Sequence, residues 1–327
     1  MKQVNFKTFK NLKEILGQEY FTKSFYLLMF MIVGMILEIF FLNNLVILLD
    51  LFTSGNSDTK SILLIKKYLG TENLELKILT IFFVSFLIKT TSNIFVAWKQ
   101  INYLQDSELH VSTNYFKSYL NLPLIYFQRT NTANILRKLT EDVENLKIFI
   151  NAVFILFLEL VVLIGITVYL LNYNFFISIV SISSFLAFAV LLNQFHKKRF
   201  LKYGKEKIIY QTRKLKTIIE GLSAIREIKI KGKEEKTLHN FYENIFELRR
   251  IGVYSTMISN LTRPIFEIFL LTIIGLFLTF ILINGSLTLE IIPILGLYLA
   301  ASYRLVPSIS KIVQSFQLTQ LYSPSIE

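Results

Sequence analysis

The sequence predicts an all-α integral membrane protein: six transmembrane helices, with two of the connections drawn out into long cytoplasmic helical hairpins. Three observations predict it. Six apolar runs, each close to the 20 or so residues needed to cross a bilayer, punctuate a chain that is 53% hydrophobic with a mean hydropathy of +0.51. Gly and Pro number only 12 and 5 in 327 residues, which leaves long stretches without a helix breaker. Lys and Arg concentrate in alternate connections, the pattern that fixes orientation in a membrane.

The runs fall at 25–49, 76–98, 148–171, 175–195, 262–284 and 287–310. Residues 1–24 precede them as a polar, amphipathic segment with Lys2, Lys7, Lys10, Lys13 and Lys23. No cleavable signal is expected here, because the apolar stretch that follows is too long for a signal core. The connection between the second and third runs carries Lys99, Lys117, Arg129, Arg137, Lys138 and Lys147, and that between the fourth and fifth is the most basic. In contrast, 172–174 is uncharged and 284–289 has no Lys or Arg. Both termini and both long connections are therefore expected in the cytoplasm. In the outward connection, 58–69 (DTKSILLIKKYL) reads either as a short helix on the outer membrane surface or as a plain loop.

Residues 76–122 contain neither Gly nor Pro, so one helix is expected to leave the membrane and run about 30 Å further at 1.5 Å per residue. Pro123 interrupts it, and 134–164 climbs back without a break. The design repeats: 175–203 descends, the chain turns between Gly221 and Gly232, and 233–263 returns. Each hairpin ends in a short cross-piece, about Tyr126 to Ala133 in the first and Ala224 to Ile230 in the second.

Several function classes recede. The net charge of +12 follows from basic residues flanking apolar runs, so nucleic acid is not the expected partner. Cys is absent, which removes disulfides and thiolate metal sites. His110, His196 and His239 lie far apart, and no HExxH motif or carboxylate pair with an adjacent base occurs, so neither a metal nor a catalytic residue is expected.

The tips carry recognisable sequence. Leu122–Val143 reads LPLIYFQRTNTANILRKLTEDV and resembles the first intracellular loop of ABC exporters; Glu220–Glu235 reads EGLSAIREIKIKGKEE and is similar to the second, with Ala224 where that family usually has Gly. The stretch from Gly296, including Tyr303–Ile309 (YRLVPSI), looks like the sixth helix of flippases for lipid-linked oligosaccharides of the PglK type. The resemblance implies an ABC exporter type-1 transmembrane domain over 25–312. It makes the cross-pieces coupling helices, with Tyr126, Phe127, Arg129, Thr130 and Asn131 in the first and Ala224, Ile225, Arg226 and Glu227 in the second contacting an ATPase. It also implies a dimer in a bacterial inner membrane.

No GxxxxGK[ST] phosphate loop occurs, so no cofactor is expected in this chain itself. ATP and Mg are expected through an associated nucleotide-binding domain or subunit, with 313–327 as the start of a linker towards it. The expected function is the membrane half of an ATP-driven exporter or flippase for a lipid-linked or amphipathic anionic substrate. A peptide or drug exporter, or a degenerate membrane scaffold, is the alternative.

Ionisable residues at membrane depth are costly and mark pathways or pairs. The basic ones are Lys89, Arg263 and Arg304, and the acidic ones Glu38, Glu159 and Glu267. Two readings stand. The three cations line a cavity and bind an anionic head group such as a pyrophosphate, which suits the bidentate Arg fork. Or they pair with the three glutamates or snorkel to the interface.

Overall fold

The computed structural model describes residues 7–54, 74–173, 175–283 and 291–326. The outward segment 58–69 and the connection 284–290 lie outside the described residues. All regular structure among the described residues is helical: α1 (Lys7–Ser54), α2 (Leu74–Leu120), α3 (Leu124–Arg129), α4 (Thr132–Leu139), α5 (Glu141–Tyr173), α6 (Phe175–Ser223), α7 (Ile225–Lys231), α8 (Glu234–Ile283), α9 (Ile291–Tyr322) and a 3₁₀ turn, Ser323–Ser325. Among the described residues, five segments are long and apolar enough to cross a membrane: Glu14–Phe41, Leu76–Leu120, Thr132–Val168, Ser178–Ser223 and Glu234–Leu276. The sixth expected run, 287–310, falls on α9 and partly outside the described residues.

The long helices alternate in direction, as cross-contacts along them show. On α1 and α2, Tyr20 meets His110 with ring centroids 4.4 Å apart, while Phe41 meets Phe82 at 5.3 Å. On α2 and α5, Gln100 donates to Asn151 at 2.8 Å and Lys147 to Glu108 at 2.6 Å. On α6 and α8, Phe188 stacks on Phe269 at 4.2 Å, and His196 bonds the Tyr254 hydroxyl at 2.9 Å. Both hairpin tips, the start of α1 and the end of α9 therefore lie towards one end of the molecule.

At 47 residues, α2 is about 70 Å long, more than twice the roughly 30 Å hydrocarbon core. The chain packs as a helical assembly with two main apolar clusters. One joins α1, α2 and α5 around Leu27, Met31, Val96, Leu104 and Phe154. The other joins α5, α6, α8 and α9 around Val162, Ile166, Phe185, Phe266 and Ile309. Large apolar side chains such as Leu87, Ile94, Leu191 and Ile268 face outward along the spans, as a lipid-facing surface requires.

Three local features differ from the sequence expectation. From Lys7 on, the N-terminal segment is continuous with the first span except at Gly17, whose φ of 75° and ψ of 167° suit glycine alone and break the helix there. The first cross-piece is two helices, α3 and α4, rather than one over Tyr126 to Ala133. Thr130 and Asn131 divide them: the extended backbone of Thr130 ends α3, and the Asn131 side chain accepts from the Ala133 N–H at 2.9 Å as the N-cap of α4. The returning stretch 134–164 is interrupted at Thr140, whose hydroxyl bonds back to Leu136 at 2.9 Å, and α5 opens with Glu141, Asp142 and Glu144 in its first turn. The second tip follows the expectation: α7 ends at Gly232 in the left-handed conformation. Pro264 and Pro307 sit inside α8 and α9 without ending either helix.

The cap supplies a local prediction. Asn131→Ala is expected to destabilise α4 by about 1 kcal/mol. Amide hydrogen exchange over 132–139 should quicken roughly fivefold, with the rest of the chain unchanged.

Candidate functional site: a buried charge cluster and two exposed tips

Four helices bring charged side chains together at membrane depth. Glu38 stands on α1, Lys89 on α2, Glu159 on α5, and Arg304 and Lys311 on α9. Arg304 turns one edge of its guanidinium to Glu38: Nη2 donates to Oε2 at 2.7 Å, and Nε lies 2.7 Å from Oε1. Lys89 Nζ approaches the same Oε1 at 3.3 Å and lies 4.5 Å from the centre of the Phe41 ring. Glu159 accepts from Lys311 Nζ at 2.8 Å through Oε1; its Oε2 is buried without a hydrogen bond, 3.8 Å from Arg304 Nη2.

The burial is uneven. The Glu38 and Glu159 side chains are 6% and 1% exposed, while Lys89 and Arg304 are 18% and 21% exposed and Lys311 half exposed. The carboxylates thus sit behind and the cations in front. Three cations against two carboxylates leave the group one positive charge in excess. A cluster of this kind in a medium of low dielectric holds its helices together and attracts anions.

The structure brings Lys89 and Arg304 together and leaves Arg263 apart. Arg263 pairs with Glu267 one turn along α8, Nε to Oε1 at 2.9 Å, with both side chains about half exposed. All three cations of the sequence reading are therefore ion-paired, each with one of the glutamates that reading named. Lys311 was missed because it lies just past the end of the sixth apolar run. Its position seven residues after Arg304 puts both on one face of α9, a signal the sequence does carry.

The tip residues are uncovered. Neither α3, with Tyr126, Phe127 and Arg129, nor α7, with Ile225, Arg226 and Glu227, has a buried residue. Thr130 and Asn131 form the extended link after α3, and Ala224 precedes α7 without a side-chain cap. Large apolar side chains stand open there, Leu124, Ile125 and Phe127 on one tip and Ile225 and Ile230 on the other. A cavity of about 530 Å³ opens beside the first tip, among Tyr115, Tyr119, Tyr126, Lys138 and Ile326.

The bundle is closed below by the end of α9. Asn145 of α5 donates to the Ser325 hydroxyl at 3.1 Å and accepts from Lys207 of α6 at 3.1 Å, and Lys207 Nζ lies 4.2 Å from the centre of the Tyr322 ring. Burial pushes the Tyr322 phenol up, and the nearby Glu144 carboxylate adds to it, so the ring stays neutral beneath the ammonium. Beside it, Glu141 takes Gln211 at 2.6 Å and Lys214 at 2.5 Å, tying the first hairpin to α6.

Compared with known families, residues 24–300 match the one described as the ABC transporter transmembrane region.

Proposed function

The chain belongs to the family of ABC transporter transmembrane regions, and from that premise we propose that it is the permease half of an ATP-driven exporter or flippase for a lipid-linked or amphipathic anionic substrate. The observation that carries the substrate reading is the charge cluster, whose two partly open cations, Lys89 and Arg304, stand on different helices beside one carboxylate. Arg263, exposed on α8, would join them at the rim. The relation to flippases of the PglK type rests on the sequence of the α9 region.

In this reading six helices span a bacterial inner membrane, both termini and both hairpin tips face the cytoplasm, and two such chains enclose the pathway. An associated nucleotide-binding domain or subunit binds ATP and Mg and seats α3 and α7. The helices α3 and α7, with no buried residue of their own, support such docking. ATP binds the closed arrangement of the ATPases more tightly than the open one, and that difference drives alternating access. The family's exporters of peptides or drugs give the second reading.

The test is transport in proteoliposomes holding the chain with its ATPase, using a fluorescent lipid-linked pyrophosphate and, separately, a neutral lipid and a hydrophobic peptide. Lys89→Gln and Arg304→Lys, which preserve most of the local packing, are expected to lower anionic-lipid transport at least tenfold. Unchanged rates in folded variants would remove the cluster from the substrate pathway. Preferential peptide transport would favour the second reading, and no transport of any probe would favour a scaffold.

A further inference from the structure

The Nε–Nη2 edge of a guanidinium is the edge that reads a phosphate with two parallel hydrogen bonds. In Arg304 that edge is turned to Glu38: Nη2 donates to Oε2 at 2.7 Å, Nε lies 2.7 Å from Oε1 in ion-pair contact without a hydrogen bond, and Lys89 approaches the same Oε1 at 3.3 Å. An anion approaching Lys89 and Arg304 therefore meets a filled site. Without Glu38 the two cations would stand mostly buried with no anion between them, a costly arrangement in the empty protein.

The surroundings make Glu38 replaceable. Lys89 keeps the Phe41 ring at 4.5 Å, and Arg304 keeps Glu159 Oε2 at 3.8 Å, whether or not Glu38 is present. Glu159 is held separately by Lys311 at 2.8 Å. The cluster's excess positive charge also favours an anion bearing more than the single charge of a carboxylate. The cations are the more open members, so the exchange can begin from their side.

We propose that Glu38 is a tethered counter-anion: it occupies the Lys89–Arg304 site while the site is empty, and a phosphate-bearing ligand displaces it. Because Glu38 rides on α1 and Arg304 on α9, displacement also unlinks those two helices, so ligand entry loosens one packing contact of the bundle. This rests on the anionic-substrate reading above and adds a specificity-determining residue to it.

The experiment measures inorganic pyrophosphate binding to the purified full chain in nanodiscs by titration calorimetry, with thermal melting as the folding control. Glu38→Gln removes the competing charge and keeps the side chain's shape. It is expected to bind pyrophosphate at least tenfold more tightly than wild type, and adding Arg304→Gln should abolish the gain. Glu38→Asp, which withdraws the carboxylate by one methylene, should give an intermediate gain and serves if Glu38→Gln does not fold. Equal or weaker binding by the folded variant, or no binding by either protein, overturns the proposal. The anionic-substrate reading is judged separately: transport of an anionic lipid with no gain in Glu38→Gln sinks only the counter-anion. A tenfold gain with no transport of any anionic lipid sinks only the substrate.

Discussion

Arg304→Ala is expected to cost about 3–5 kcal/mol of unfolding free energy, the range for removing one partner of a buried ion pair. The reason is what remains: Glu38 is left with Lys89 alone, and Glu159 with Lys311 alone, both carboxylates almost wholly enclosed. The measurement is the thermal transition of the chain in detergent. Glu38→Ala/Arg304→Ala should be less destabilised than the sum of the two single changes, because the double variant strands fewer charges. Arg263→Ala is the internal contrast. Its pair with Glu267 is about half exposed and lies within one helix, so at most about 1 kcal/mol is expected. A loss at Arg263 as large as that at Arg304 would mean that burial is not what sets the cost.

The second large effect is expected at Gly204 on α6. A Cβ at this position would overlap the backbone oxygen of Leu321 and come within 3.2 Å of Pro324 Cγ. The obstacle is mostly main chain, which cannot swing aside as a long side chain can. Gly204→Val should therefore cost about 1–3 kcal/mol or push the end of α9 away from α6. Two readouts separate these outcomes: the melting temperature, and proteolytic cleavage near Tyr322–Ser325, which should accelerate if the end is displaced. Unchanged values for both would mean that α6 and α9 do not approach here as described.

How far the sequence showed these features depends on how local each one is. The spans are local: apolar runs need no partner to be recognised, and the helices α2, α5 and α6 cover the runs expected of them, while α8 covers 262–283 of the fifth. The second tip was legible for the same reason, since Gly232 ends α7 by its own backbone preference. The division of the first tip was also written locally, in Asn131 followed by Thr and Ala, but an N-cap inside a presumed cross-piece is easily read as its middle. The charge cluster was only half legible. Each member could be named because charge at membrane depth is conspicuous, yet the Glu38–Arg304 pair joins residues 266 apart, and no periodicity encodes that separation. Gly204 gave no sign at all. A close approach between two backbones leaves no mark in composition, because what matters is the absence of a side chain.

The clasp formed by the last turns of α9 has a consequence for biosynthesis. Asn145 and Ser325 are 180 residues apart, and Ile326 completes the apolar cluster that contains Leu16, Val143 and Leu146. At a synthesis rate of about 5–20 residues per second, Asn145 leaves the ribosome some 10–35 s before its partner exists. Throughout that interval the ends of α1, α5 and α6 lack the piece that closes over them. The contact is therefore completed only once residues 322–326 have been made, and any delay in translation beyond α8 lengthens the time during which those apolar ends stand open to quality-control proteases.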